Sequence, residues 1–376
     1  MNFQFVNTIS ELDQMIAQLE PSDVLYVDTE FVRERTLFPH FGLLQISDGV
    51  HVYLVDPQSI EDFSSVWKLL VENDRLIVLH AFGEDLELLW NEGCPQLTHV
   101  LDTQIAAGLV GWGTGAGFAA LVEKVSDVAL DKSHSRTNWL KRPLSPEQLR
   151  YAADDVIYLA PLAQRLITEL EEAGLTDICM DECKRLANRS TKDISKRYLD
   201  VKNSWPLNPQ QLAVLQVLAT WRYNQAFERD MALSFVVKDL ALVEIARHQP
   251  TSMAELKRVP ELSPMELRIH GKRLLKLVEE GRAVKKEHWP EPIRRVIDIP
   301  SYKVMQKSLS KLVKKVAEKA GIPDTMLASK RQQGEYLMWR WRHQQGLAVD
   351  YEPVMMSGWR KQMLEPSLIE WQHATP

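Results

Sequence analysis

The front of the chain changes hydrophobic period several times. VLYVDTE (24–30), GLLQISD (42–48) and HVYLVDP (51–57) are short β-rich runs, set apart by Gly42 and by Ser47-Asp48-Gly49. Their close spacing predicts an antiparallel meander. FSSVWKLLVEN (63–73) has a helical pattern and RLIVLHA (75–81) reads as a strand. EDLELLWNEG (84–93) predicts a helix closed by Gly93, and HVLDTQIAAGLV (99–110) a strand running into a helix. A meander followed by strand–helix units predicts a mixed-sheet α/β domain.

Ser145 opens the strongest helix signal. Pro146 suits the first turn and Gln148 completes a capping box, with the pattern running to Gly174 and on through ICMDECKRLANRS (178–190). STKDISKRYLDVKNSWPLNPQ (190–210) is polar and reads as a linker. Beyond it the pattern is helical throughout. The predicted division is a front domain over 1–195, a linker over 196–207, and helical modules over 208–288 and 289–376.

Composition adds that the chain is an ordinary globular protein: 376 residues, 45% hydrophobic and 26% charged. Cys94, Cys179 and Cys183 form no CxxC pair and read as structural thiols in a reducing compartment. MNFQFVNTIS has neither the basic start nor the apolar core of a secretory leader. The longest uncharged stretch, Gln104 to Val122, has five glycines crowding its middle, so helix–loop–helix is expected there rather than a membrane span. A cytoplasmic monomer is the expectation. The net charge of −6 hides an asymmetry: residues 1–200 carry 17 Lys/Arg against 32 Asp/Glu, and residues 201–376 carry 28 against 19. A cation-binding site in front and a polyanion grip behind would explain it, as would two differently solvated surfaces.

The candidate chemistry lies in the acids. Asp28 and Glu30, two apart on a strand, share a face at its carboxyl end, where open α/β sheets place ligands. Tyr151 and Asp155, four apart, share a helix face, whereas Asp154 is rotated about 100° away. Asp85 follows closely on the strand that ends at His80. Such oxygen-rich sets suit Mg²⁺ or Mn²⁺ and not zinc, and paired divalent ions serve phosphodiester hydrolysis. Tyrosine, with an ordinary pKa near 10, is suited to orienting a water. For each acid taken singly, an exposed surface or helix-start role is the default. His80 reads as a core histidine, and Asp102 as an acid that supports the fold. GWGTGA (111–116) satisfies GxGxxA but follows a helix pattern instead of a first strand, so no dinucleotide site is expected, and no GxxxxGK[ST] occurs.

VDTEF (27–31), HAFGEDLELL (80–89) and YAADDVIYL (151–159) closely resemble, in order, the three motifs of the DEDD exonuclease superfamily, the third in its tyrosine variant. Together with LLQISD, LDTQIAAGLV, the stretch from Gly117 to Ser145 and the basic helical rear, nearly the whole chain resembles the bacterial ribonuclease D family. That resemblance implies a ribonuclease H-like α/β exonuclease core (a mixed sheet with flanking helices), followed by two all-α HRDC-like modules. It implies 3′→5′ removal of 5′-mononucleotides from RNA such as tRNA precursors, with two divalent metals. By motif, Asp28, Glu30 and Asp155 would bind one metal, Asp28 bridging to a second that Asp85 holds mostly through water. Tyr151 would orient the attacking water.

Lys132, Arg136 and Trp139 in DKSHSRTNW are candidate contacts to phosphates and a base. WRYNQAFERD, FVVKDLALVEIARHQP and ELRIHGKRLLKLVEEG within 221–281 resemble the HRDC module, including Trp221-Arg222, Asp239 and Gly271. The family's proline near Met231-Ala232 is absent. Residues 302–373 echo the module more weakly, with lysines at 303, 307, 311, 314 and 315 in helical steps. These suit nucleic-acid phosphates or a solvated face. Alternatives to an exoribonuclease are a Werner-type DNA exonuclease and a non-catalytic RNA-binding adaptor. Among these readings, the intact acidic set argues against the adaptor.

Overall fold

A computed structural model describes residues 3–131, 133–134, 137–188 and 193–374. The chain divides into two compact units, one of Met1–Val32, His40–Arg189 and Ile299–Pro376, the other of Arg33–Pro39 and Ser190–Asp298.

The first unit is built on six strands among the described residues: β1 (Gln4–Val6), β2 (Val24–Val32), β3 (His40–Ser47), β4 (Val52–Val55), β5 (Leu76–Leu79) and β6 (Val100–Asp102). Their order is β1-β4-β3-β2-β5-β6. β2, β3 and β4 form the antiparallel meander, and β5 and β6 continue in parallel from β2. The pattern from Phe3 gave no warning of β1, which is only three residues long and pairs in parallel with β4. The helices are α1 (Ile9–Leu19), α2 (Ser64–Val71), α3 (Gly83–Asn91), α4 (Thr103–Leu109), α5 (Phe118–Ser126), α6 (Pro146–Glu172) and α7 (Thr176–Ala187).

α6 begins as its sequence dictates. The Ser145 hydroxyl accepts from the Gln148 N–H at 3.2 Å, and the Gln148 side chain accepts from the Ser145 N–H at 3.1 Å. Two orphan donors are thereby satisfied at one helix end. Its apolar stripe (Ala152, Ala153, Val156, Leu159) is buried toward the sheet, and this fixes the direction of Tyr151 and Asp155. The helical pattern does not run unbroken to residue 190. Gly174 takes φ +66°, a conformation glycine adopts without strain, and α7 starts afresh after it.

The second unit holds α8 (Pro209–Glu228), α9 (Leu233–Val236), α10 (Asp239–His248), α11 (Met253–Leu256) and α12 (Pro264–Arg282). The polar stretch read as a linker is folded: residues 194–200 form a 3₁₀ helix, and Val201 and Leu207 enter the module's apolar core. Arg222 is buried and donates to the Asp239 carboxylate at 2.7 Å and to the Val237 carbonyl at 2.9 Å, tying α8 to the start of α10. Without the family's proline, the turn after α8 is held by Asp230, whose carboxylate accepts the N–H groups of Leu37 and Phe38 at 3.0 Å each.

The last helices belong to the first unit: α13 (Tyr302–Ala320), α14 (Asp324–Leu327), α15 (Lys330–Gln344) and α16 (Gly358–Ala374). Met305, Leu309, Val313 and Ala317 bury one face of α13, leaving Lys303, Lys307, Lys311, Lys314 and Lys315 exposed. Met326 packs directly on Gly108 of α4, where an added Cβ would come within 2.8 Å of its sulfur. Arg360 forms a buried, two-pronged ion pair with Glu182 of α7, at 2.5 and 2.9 Å. Burial raises the Glu182 pKa, but the guanidinium groups of Arg185 and Arg360 outweigh it and hold the carboxyl down at about 2. Among the described residues, no helix is long and apolar enough to cross a membrane.

Candidate active site

Alternation along β2 points Asp28 and Glu30 to one side. On that side lies a cleft of about 230 Å³, lined by Asp28, Thr29, Glu30, His80, Phe118, Tyr151, Asp155 and Leu159. The structure thus gathers three of the predicted acids: carboxylate oxygens of Asp28, Glu30 and Asp155 lie within 4.8 Å of one another. Asp85 stands outside that triplet in the first turn of α3, where its carboxylate accepts the Thr29 hydroxyl at 2.5 Å. Asp154 faces away and pairs with Arg150 at 3.0 Å.

The backbone that carries the site is held by several devices. β2 and β3 slip register between Glu30 and Phe31, leaving Gly42 as the extra residue of β3. A Cβ on Gly42 would lie 2.7 Å from the Trp139 Cβ and 2.9 Å from the Glu30 carbonyl oxygen, so only glycine fits there. Asp102 caps α4 through the Gln104 N–H at 2.8 Å, and also accepts from Ala81 at 2.9 Å and Phe82 at 3.2 Å. It therefore braces the turn in which Ala81 takes φ +54°, just before the helix bearing Asp85.

Electrostatically the cluster is strained in the absence of a counter-charge. Burial, then Asp155, Asp85 and Glu30, drive the Asp28 pKa well above the usual carboxylate range. Burial followed by Asp155 and Asp85 lifts Glu30 to about 9, and burial followed by Asp154 and Asp85 lifts Asp155 to about 8. Asp85, raised chiefly by burial against the pull of the Thr29 hydroxyl, reaches about 6. Tyr151 is pushed further above its ordinary value by burial and by the acids around it, so it keeps its proton. An all-oxygen, mutually repelling set fits hard divalent cations.

His80, Phe118 and Thr29 were missed as members of the cleft. Their one-letter context is that of a strand end, a helix start and an interposed strand residue, and no spacing rule distinguishes them. Trp139 requires correction: its side chain is fully buried, packed 6.0 Å from the Tyr151 ring and beside Gly42, so it offers no stacking face to a base. Arg142 pins its loop, donating to the Trp139 carbonyl at 2.8 Å, the Gly42 carbonyl at 2.7 Å and the Asp56 carboxylate. Lys132 and Arg136 lie outside the described residues. Described neighbours Asp131 and His134 line a second cavity, of about 350 Å³, that shares Tyr151 and Asp155 with the cleft.

Fold and site define a class. A family model described as a 3′-5′ exonuclease matches residues 3–171, and one described as an HRDC domain matches residues 211–278. A mixed sheet carrying clustered acids, followed by helical modules, is thus a 3′–5′ exonuclease with HRDC domains. A third model, described as the C-terminal HRDC domain of ribonuclease D, matches residues 300–368. Ribonuclease D of Serratia proteamaculans (strain 568) is 41% identical over 370 residues, covering 98% of each chain. That of Escherichia coli (strain K12) is 38% identical over 370 residues, again 98% of each. The crystal structure of Escherichia coli RNase D, described as an exoribonuclease involved in structured RNA processing, superposes with TM-score 0.94 and full coverage of both chains. The chain belongs to the ribonuclease D family and is a hydrolytic 3′–5′ exoribonuclease. These relatives favour neither the Werner-type DNA exonuclease nor the non-catalytic adaptor.

Proposed function

We propose that this exoribonuclease trims the 3′ ends of structured RNA precursors, tRNA precursors among them, releasing 5′-mononucleotides with the help of two Mg²⁺ or Mn²⁺ ions. The convergence of Asp28, Glu30 and Asp155 within 4.8 Å carries the reading. In it, Asp28, Glu30 and Asp155 would hold one cation, and Asp28 and Asp85 would serve a second. When bound, the pair would polarise the phosphodiester, acidify a water and stabilise the leaving oxygen. The protein's own groups do the positioning. Tyr151, protonated across the physiological range, directs the attacking water from the helix face that also carries Asp155. Thr29 fixes the Asp85 carboxylate, and Asp102 fixes the turn that brings Asp85 to the site.

The exposed lysine stripe of α13 and the excess of basic residues after 200 suit the phosphates of a folded RNA body. We divide the labour accordingly: cutting over residues 1–195, holding over the helical modules of 208–288 and 289–376. Lys132 and Arg136 remain candidate phosphate contacts, and the protein is taken to act as a cytoplasmic monomer.

The test is digestion of 5′-labelled RNA with Mg²⁺ or Mn²⁺, beside Asp28→Asn and Asp155→Asn. A ladder of single-nucleotide steps is expected from the wild type, with a loss of at least about 100-fold in each variant. Internal cuts, or variants as fast as wild type, would overturn the assignment.

A further inference from the structure

His80 directly follows β5 and lines the carboxylate cleft together with Tyr151 and Asp155. Its Nδ1 lies 2.9 Å from the Thr103 hydroxyl oxygen. Thr103 is fully buried at the start of α4, and its hydroxyl donates to the Leu79 carbonyl at 3.2 Å. A hydroxyl has a single proton. We take that proton as directed at Leu79, so that the Thr103 oxygen accepts from His80 and the ring proton sits on Nδ1. In a neutral imidazole the other nitrogen is then a bare acceptor. The Nδ1 edge is anchored inward, which leaves the Nε2 edge to the cleft.

That is an unusual group to find there. The other polar groups of the cleft are suited to cations and water, whereas a bare imidazole nitrogen needs a donor. Phosphate oxygens only accept, so the backbone donors of an RNA end are its ribose hydroxyls, and the 2′-hydroxyl is the one DNA lacks. We infer that His80 Nε2 accepts a hydrogen bond from the 2′-hydroxyl of the 3′-terminal ribose, making His80 a residue that selects RNA over DNA. Phe118, whose ring centroid lies 5.4 Å from that of His80, gives the same nucleotide an apolar wall. A site that offers an acceptor to a substrate hydroxyl discriminates against the analogue without it, because the acceptor is left unpaired.

The inference rests on the carboxylate cleft being where the RNA end is cut, and the experiment separates the two. Single-turnover release of the terminal nucleotide is measured on three 5′-labelled RNAs: all-ribose, 2′-deoxy at the 3′ end, and 3′-deoxy at the 3′ end. Wild type should cut the 2′-deoxy end about tenfold more slowly than the ribose end. His80→Leu should bring that ratio near one, and His80→Gln, which retains an acceptor oxygen, should restore part of it. A ratio near one in the wild type overturns the inference whatever the variants do. So does a 2′-deoxy penalty that survives in His80→Leu, or a 3′-deoxy penalty that disappears in its place. Failure of the cleft assignment looks different: Asp28→Asn would then cut the all-ribose RNA as fast as wild type.

Discussion

Replacing Asp155 by Asn separates what the site does for chemistry from what it costs the fold. In metal-free protein the Asp155 carboxyl is raised to about 8 by burial and then by Asp154 and Asp85, and Glu30 to about 9 by burial and then by Asp155 and Asp85. An acid whose pKa is raised on folding binds its proton more tightly in the folded chain. The metal-free fold therefore keeps this stability below the unfolded value near 4 and loses it as pH rises towards 8. One pKa unit corresponds to about 1.4 kcal/mol, so the strain is of the order of several kcal/mol spread over the coupled acids. Asn keeps the shape and removes one charge. Allowing for the cost of burying its amide, a net gain of about 1–2 kcal/mol at pH 8 in EDTA is expected, or roughly 2–6 °C in melting temperature. Adding Mg²⁺ should raise the wild-type melting temperature more than the variant's, while RNA cleavage by the variant falls at least about 100-fold. The assay is thermal unfolding at pH 5 and pH 8, with and without Mg²⁺, beside single-turnover digestion. A variant that melts at or below wild type in EDTA at pH 8 would refute the account of mutual repulsion.

Three further outcomes follow from other parts of the fold. Glu182→Gln leaves the Arg360 guanidinium without its buried counter-charge and should destabilise the first unit by about 3–5 kcal/mol. Because the Glu182 pKa is depressed to about 2, the stability it contributes is present above the unfolded value near 4.3 and fades as pH falls through about 2. The gap between wild type and Glu182→Gln in acid-dependent denaturation should therefore shrink between about pH 5 and pH 2, and a constant gap would contradict the pairing. Gly42→Ala, which drives a methyl into Trp139 and the Glu30 carbonyl, should lower both stability and cleavage, read by urea unfolding and by the RNA ladder. Ser145→Ala removes one capping hydrogen bond from α6 and should cost about 1 kcal/mol in the same unfolding assay.

Local chemistry made much of this legible in advance. Alternation placed Asp28 and Glu30 on one face of a strand, a four-residue step placed Tyr151 and Asp155 on one face of a helix, and Ser145 with Gln148 announced where that helix begins. Those features depend on backbone period and on neighbours three or four residues away, which a sequence carries directly. What the sequence could not carry was the outcome of packing between distant segments. Trp139 read as an exposed aromatic because its loop is polar, yet Gly42, about a hundred residues earlier, leaves a space that the indole fills. The stretch after residue 190 read as a linker because it is charged, yet Val201 and Leu207 anchor it in an apolar core. The last helices pack on the front domain because Arg360 finds Glu182 and Met326 finds Gly108, a docking that no local pattern announces. Most consequential for the proposed ribose contact, the residues themselves could say that His80 lies at a strand end, but only the fold brings its Nδ1 to 2.9 Å from the Thr103 hydroxyl. Period and capping are properties of the chain, whereas register, burial and side-chain partners arise where remote parts of it meet.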